Sequence, residues 1–103
     1  MTATLGYAWW IVELVQVDPN SCSDTDFGLN FTVNGTINFT VNQTPYLFDD
    51  YCLNDTIVYE FACTNDVPEL NLTDYAVLVG EDCTVALNNS NALCVNGKCE
   101  LVP

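Results

Sequence analysis

The 103-residue sequence contains no histidine and only one basic residue, Lys98. Fourteen acidic residues give the chain a formal net charge of −13. Nucleic-acid binding requires basic side chains that neutralise phosphates, and docking on an anionic membrane requires them too. The lack of positive charge therefore argues against both function classes, and no nucleic-acid partner is expected.

The absence of histidine also removes the usual bases of nucleophilic catalysis, so neither a Ser-His nor a Cys-His arrangement can form. Asp49 and Asp50 are neighbouring carboxylates of the kind that hydrolyse glycosides. Adjacent residues of a strand point to opposite faces, which makes them a poor acid–base pair. We expect a protein that is not an enzyme.

The apolar stretch at residues 5–17 is too short to cross a bilayer as a helix, which takes about 20 residues. It also contains Glu13. No basic residue precedes it, so residues 1–17 are not expected to be an intact secretory signal. If the protein is exported, its signal precedes this numbering, and no membrane insertion is expected.

Six cysteines stand out in so short a chain: Cys22, Cys52, Cys63, Cys83, Cys94 and Cys99. Zinc sites usually use closely spaced C-x2-C pairs, and this sequence has none. An even number of cysteines predicts a disulfide framework and an oxidising compartment. Six cysteines allow 15 pairings, among which the sequence does not choose. A bridge between Cys94 and Cys99, across a hairpin turn at Asn96-Gly97, is one alternative.

Apolar runs bounded by Asn, Asp, Pro and Gly predict strands at about 46–52, 56–63, 74–80 and 83–87. No helix is expected. The predicted fold is all-β, a disulfide-stapled Ig-like β-sandwich of about seven strands with an N-terminal donor-type strand. Residues 1–17 form the predicted assembly arm, and residues 18–103 form the disulfide-stapled β domain.

The stretch NFTVNGTINFTVNQT at residues 30–44 alternates strictly between polar and apolar side chains. A hairpin at Asn34-Gly35 would place the apolar residues on both faces, whereas one continuous strand keeps them on a single face. We therefore predict one extended strand. Its core-facing residues would be Phe31, Val33, Ile37, Phe39 and Val41.

The Asn-x-Thr/Ser pattern that accepts N-linked glycans occurs seven times. Chance alone, given 12 asparagines and 14 serines and threonines, would produce about 1.6 occurrences. We predict covalently attached N-glycans, the first four in an outward row along the extended strand. The alternative is a solvated polar strand face without sugars. The candidate asparagines are Asn30, Asn34, Asn38, Asn42, Asn54, Asn71 and Asn88.

Residues 2–17 alternate in the manner of a strand and end at Asp18-Pro19. An exposed apolar strand would aggregate, so it must pair in its own sheet or insert into a neighbouring copy. Head-to-tail insertion that does not close forms a filament. The predicted subunit-interface residues are Leu5, Tyr7, Trp9, Ile11 and Val15.

The sequence DTDFGLN at residues 24–30 has some of the character of a calcium loop, with Asp24 and Asp26 as candidate ligands. Asp49 or Asp50 would complete such a site, although the bidentate Glu of an EF-hand is missing. The alternative is a turn capped by its own Asp side chains. No other cofactor is expected.

The segments CSDTDFGLNFTVNGTI, DYC, VYEFAC and CVNGKC together resemble a Cys-stapled domain common in predicted secreted and surface proteins of archaea. The resemblance runs from Cys22 to Cys99 and implies an extracytoplasmic β domain with no known chemistry. The sequons at residues 30–44, the segment between Cys83 and Cys94, and the arm depart from that pattern. More loosely, the chain looks like a subunit of glycan-coated extracellular microbial fibres.

These observations predict a structural subunit of an extracellular, N-glycosylated filament that binds further copies of itself head to tail. The alternative is a glycosylated adhesion or binding module, or a surface-lattice protein, whose N-terminal strand lies in its own sheet. Both functions place the protein outside the cell or on its surface.

Overall fold

The secondary structure is dominated by strands in the computed structural model, which describes residues 9–25 and 29–101. The strands are β1 (Trp10–Gln16), β2 (Ser23–Asp24), β3 (Thr36–Val41), β4 (Thr44–Asp49), β5 (Tyr51–Cys52), β6 (Ile57–Cys63), β7 (Tyr75–Asp82), β8 (Ala92–Val95) and β9 (Lys98–Leu101). One short helix, α1, spans Cys83–Ala86, and two 3-10 helices span Thr64–Asp66 and Pro68–Leu70. The prediction of an all-β fold is confirmed.

The strands form three sheets in which every pairing is antiparallel. Their orders are β1-β7-β6-β5, β2-β3-β4 and the hairpin β8-β9. The two larger sheets pack together through a core that includes Ile37, Phe39 and Ala76. The rings of Phe48 and Phe61 stack between them at 5.3 Å. The result is sandwich-like, with nine strands in the described residues rather than about seven, because β2 and β5 are only two residues long.

Strands β6 and β7 are covered on both faces, which explains the nearly continuous apolar run of β7. On one face, Ala62, Val77 and Val79 belong to a buried cluster, and partly buried apolar side chains pack against it. On the other face, Cys63 and Ala76 pack against β3. These two strands are the centre of the fold, and the other elements are arranged around them.

The prediction of a strand within residues 2–17 is confirmed for residues 10–16, which form β1. This strand pairs with β7 of the same chain from Trp10–Gly80 to Gln16–Tyr75, with a bulge at Val12. The remainder of the predicted arm, residues 1–8, lies outside the described residues and includes the interface candidates Leu5 and Tyr7.

The prediction of one continuous strand over residues 30–44 is wrong. Only Thr36–Val41 is a strand; the preceding residues form a turn and a loop. The loop is held by long-range contacts: Asn30 N donates to Glu60 Oε1 at 2.7 Å, and Gly35 N donates to Asp50 Oδ2 at 2.8 Å. Buried carboxylates thus satisfy backbone donors that a sheet partner would otherwise bind.

The chain reverses at Asn42-Gln43 instead, with φ values of 51° and 69° that are typical of a two-residue hairpin turn. Ile37 and Phe39 are buried as predicted. Phe31 packs partly buried on a different cluster, and Val33 is 43% exposed. The single apolar face predicted for this stretch therefore exists only within β3.

Near the C-terminus, the Asn96-Gly97 hairpin is confirmed, but the strand predicted at 83–87 is wrong. The segment forms α1, because the Asp82 carboxylate caps it by accepting from Thr84 N at 2.9 Å.

The alternative Cys94–Cys99 bridge is also wrong. Both side chains point into the cluster beneath the hairpin, where Cys52 and Cys83 lie within bonding distance. The pairs are Cys22–Cys63, Cys52–Cys94 and Cys83–Cys99.

Candidate functional site

Among the described residues, strand β1 lies at the edge of the four-stranded sheet and pairs with β7 alone. Its apolar side chains Ile11, Val12 and Leu14 are 38–40% exposed, and Glu13 is its one charged residue. A long apolar edge of this kind can accept a further strand or exchange with another copy.

The three predicted interface residues that the structure describes, in and just before β1, have different environments. Trp9 is half-buried and packs against the cluster of Ala62, Val77 and Val79. Ile11 is exposed, and Val15 is half-buried and lines a groove between the two larger sheets. In this arrangement the described interface candidates thus contact their own chain.

Sequence reasoning missed the contact between Trp10 and Gly80, which are opposite each other in β1 and β7. A Cβ atom at Gly80 would lie 2.6 Å from atoms of the Trp10 ring. The glycine therefore provides the space in which the Trp10 ring lies over β7. A glycine inside an apolar strand often marks such a close approach, and this was the available signal.

The segment after β1 is held firmly to the rest of the domain. Val17 is buried and donates its N–H to Asp74 O at 2.9 Å. Asp18 N donates to Thr40 O at 2.8 Å. Any exchange of β1 between copies would therefore hinge before Val17.

The Asp18 carboxylate fastens the β3-β4 hairpin turn. It accepts from Gln43 N at 2.8 Å, from Thr40 Oγ1 at 2.7 Å and from Asn42 N at 3.0 Å. These hydrogen bonds, led by that from Gln43 and followed by that from Thr40, lower the pKa of Asp18 below its usual value of 3.8. The charged form of Asp18 therefore stabilises the folded hairpin.

Replacing Asp18 with asparagine is expected to destabilise the protein at neutral pH and to have less effect in acid. Because the folded-state pKa of Asp18 is lowered, its contribution is fully present above the unfolded value near 3.8 and is lost as pH falls through the folded value. Urea unfolding midpoints of both proteins between about pH 7 and pH 2 would measure this. The control Asp66→Asn changes an exposed acid. If the difference in unfolding midpoint between the wild type and Asp18→Asn did not vary with pH, the stabilising role assigned to the charged Asp18 carboxylate would be contradicted.

An apolar groove of about 350 Å³ lies between the two larger sheets. The rings of Phe48, Phe61 and Tyr51 follow one another along it, with centroids 5.3 Å and 6.2 Å apart. Glu13 of β1 contributes a carboxylate to its lining. The groove is thus bounded on one side by the edge strand β1 and can hold an apolar or aromatic group.

All seven sequon asparagines are exposed residues. Only Asn38 lies within a strand, on the outer face of β3, while the other six lie in turns and loops. The predicted outward row of four along one strand is therefore wrong, because Asn30 and Asn34 precede β3 and Asn42 lies in the hairpin turn. The candidate sites are spread over several loops.

The two Asn-Gly pairs of the sequence meet in space. Asn34 Nδ2 donates to Asn96 O, and a Cβ at Gly97 would lie 2.6 Å from Asn34 Nδ2 and also collide with Asp50 O. Gly97 has φ of 77° as well, so the turn requires glycine. The amide nitrogen to which a glycan would attach at Asn34 is thus already part of a tight contact.

The candidate calcium ligands do not form a site among the described residues. Asp24 is buried, and Asp26 lies outside the described residues. Asp49 accepts from Thr36 Oγ1, and Asp50 accepts from Gly35 N and Phe61 N. Within residues 9–25 and 29–101, no three His, Cys, Asp or Glu side chains converge in a way that could hold a metal ion.

Comparison of the chain with protein-family models, curated proteins and solved structures found no match. Across the part of the chain that the structure describes, no helix has the length and apolar character needed to span a membrane. All six cysteines are paired, so none is available as a free thiol. The resemblance to the archaeal surface domain stays a prediction.

Proposed function

We propose that this protein is a structural subunit of an extracellular, N-glycosylated filament, assembled by insertion of the N-terminal strand into the neighbouring subunit. In this assembly β1 leaves its own sheet and pairs with β7 of the next copy. The exchanged strand makes the same backbone hydrogen bonds and side-chain contacts as it makes within one chain. Each subunit then donates one strand and accepts one, which yields an open-ended polymer.

The observation that carries this proposal is the edge position of β1. It is the first strand of the described residues, it pairs only with β7, and three of its apolar side chains are 38–40% exposed. A strand with this placement can be exchanged without unfolding the other sheets. Its exposed apolar surface would also be covered by further contacts in a polymer.

The extracellular location is supported by the covalent chemistry of the fold. Three disulfides indicate an oxidising environment. The exposed sequons other than Asn34, whose amide nitrogen is engaged by the Asn96-Gly97 turn, are suited to N-glycosylation, which would add polar surface around the polymer. With a net charge of −13, screening by counterions would also ease the approach of copies.

A second candidate function is a glycosylated adhesion or binding module at the cell surface, or a lattice protein, with β1 kept in its own sheet. Two observations favour it: the pairing of β1 with β7 of the same chain and the apolar groove of about 350 Å³. Grooves of this volume, lined by aromatic rings, are typical of small-ligand sites.

Electron microscopy of the purified protein separates the two candidates. Strand exchange predicts uniform fibres from the wild type and no fibres after deletion of residues 1–16, because the donor strand is then missing. The control Val85→Asp alters an exposed apolar residue in α1 and should still assemble. Fibres from the deletion variant, or small particles from the wild type, would contradict the proposed filament.

A further inference from the structure

The outer face of the β2-β3-β4 sheet combines a sequon with an exposed apolar patch. Asn38, in the middle of β3, is directly opposite Leu47 of β4 and Ser23 of β2. Leu47 is 66% exposed, the largest exposure of any large apolar side chain described. Pro45, also exposed, lies two residues from Leu47 on the same face.

A shallow depression of about 400 Å³ lies beside Asn38, Pro45 and Leu47. Its lining includes Asn38, Thr40, Pro45 and Leu47. Opposite residues on an antiparallel pair have Cβ atoms about 5 Å apart, so a group attached to Asn38 starts beside the Leu47 side chain. Each sugar ring has an apolar C–H face and a polar hydroxyl rim, which suits a position between an apolar floor and solvent.

We propose that Asn38 carries an N-linked glycan whose first sugars lie over Leu47 and Pro45 and cover this patch. The inference rests on the N-glycosylation of the proposed function and extends it by naming one site and the surface that its sugar contacts. The attachment atom lies within the patch itself, and this identifies the occupant as the chain's own glycan. The other sequons lie in turns and loops, outside the strands.

The glycan would also protect the sheet from unwanted contacts. Without it, Leu47 is an apolar side chain on the outer face of an edge strand, a surface prone to associate with other chains. With it, the outer face is polar, and assembly is restricted to other edges such as β1. The same sugar would thus increase solubility and limit where copies meet.

The test uses the full-length glycoprotein from its native source. Mass spectrometry of proteolytic peptides first measures glycan occupancy at Asn38. Nuclear Overhauser spectra of methyl-labelled protein then report whether sugar protons contact the Leu47 methyl groups, identified by loss of their signals in Leu47→Ile. Leu101, 56% exposed and opposite Ala92 rather than a sequon, is the control and should show no sugar contact.

The expected result is an occupied Asn38 with sugar contacts to Leu47 and none to Leu101. An occupied Asn38 without these contacts would overturn the inference and leave glycosylation intact. An Asn38 without a glycan, in a protein whose other sequons are occupied, would likewise overturn the inference and leave glycosylation intact. If no sequon carries a glycan, both the inference and the glycosylation on which it rests are wrong.

Discussion

Replacing both Cys22 and Cys63 with alanine is expected to lower the free energy of unfolding by about 4 kcal/mol. The two residues are separated by 41 positions in the sequence, so their bond removes a large loop-closure entropy from the unfolded chain. Small domains are stable by only about 5–15 kcal/mol, so this is a large fraction of the total. The unfolding temperature would fall by roughly 15–30 °C, which calorimetry measures directly.

The matched comparison is removal of the Cys83–Cys99 bond, whose two cysteines are 16 positions apart in the sequence. The same chain-entropy argument gives about 3 kcal/mol for this shorter loop. Both variants should therefore be clearly destabilised, the first more than the second. A loss below about 1 kcal/mol for the Cys22–Cys63 pair would show that the disulfide does not stabilise the fold in this way.

Replacing Asp50 with alanine is expected to cost about 2–4 kcal/mol. Asp50 is buried, and its carboxylate accepts from Gly35 N at 2.8 Å and Phe61 N at 2.9 Å. It thereby ties the loop before β3 to β6. Alanine leaves both backbone donors without that acceptor, and an unsatisfied buried donor costs about 1–3 kcal/mol. Urea unfolding measures the loss.

The neighbouring Asp49 provides the control for Asp50. It is exposed, and its carboxylate accepts a hydrogen bond from the Thr36 hydroxyl, which can bind water instead. Asp49→Ala should therefore change stability by about 0.5 kcal/mol or less. Equal effects of the two substitutions would mean that the buried carboxylate does not hold the loop.

The parts of the fold that could be predicted are those fixed by local sequence. The apolar runs of β6 and β7 and the Asn96-Gly97 turn follow from residue type and spacing alone. Six cysteines in a short chain indicate disulfides whatever their partners. These features do not depend on residues far away in the sequence.

The errors arose where distant residues decide the local structure. The alternation at residues 30–44 favours one strand, yet Glu60 and Asp50 bind backbone donors in its first half and hold it as a loop. The turn at Asn42-Gln43 is stabilised by Asp18, from more than 20 positions earlier. Disulfide pairing likewise depends on which strands and helices pack together in the fold.

The candidate site was predictable in its chemistry but not in its geometry. The sequons and the apolar N-terminal strand are visible in the sequence. The proximity of Asn38 to Leu47 depends on the β3-β4 register, and the Trp10–Gly80 contact depends on which strand β1 pairs with. These relationships require the sheet order, which the sequence pattern does not contain.

The central claim, exchange of β1 between copies, is tested by a cross-link between Ile11 and Val79. These residues are opposite each other in β1 and β7, at the end of β1 away from Val17, and Ile11 is exposed. Opposite Cα atoms in antiparallel strands are about 4.5–5.5 Å apart, a separation that a disulfide spans. The variant Ile11→Cys/Val79→Cys would be assembled, oxidised and run on a denaturing gel without reductant.

The control is Leu93→Cys/Glu100→Cys in the β8-β9 hairpin, whose cross-link stays within one chain. Strand exchange predicts a ladder of covalent multimers for the β1-β7 pair and a single monomer band for the control. A β1-β7 pair that is fully cross-linked yet migrates as a monomer would contradict exchange, because β1 would then pair within its own chain.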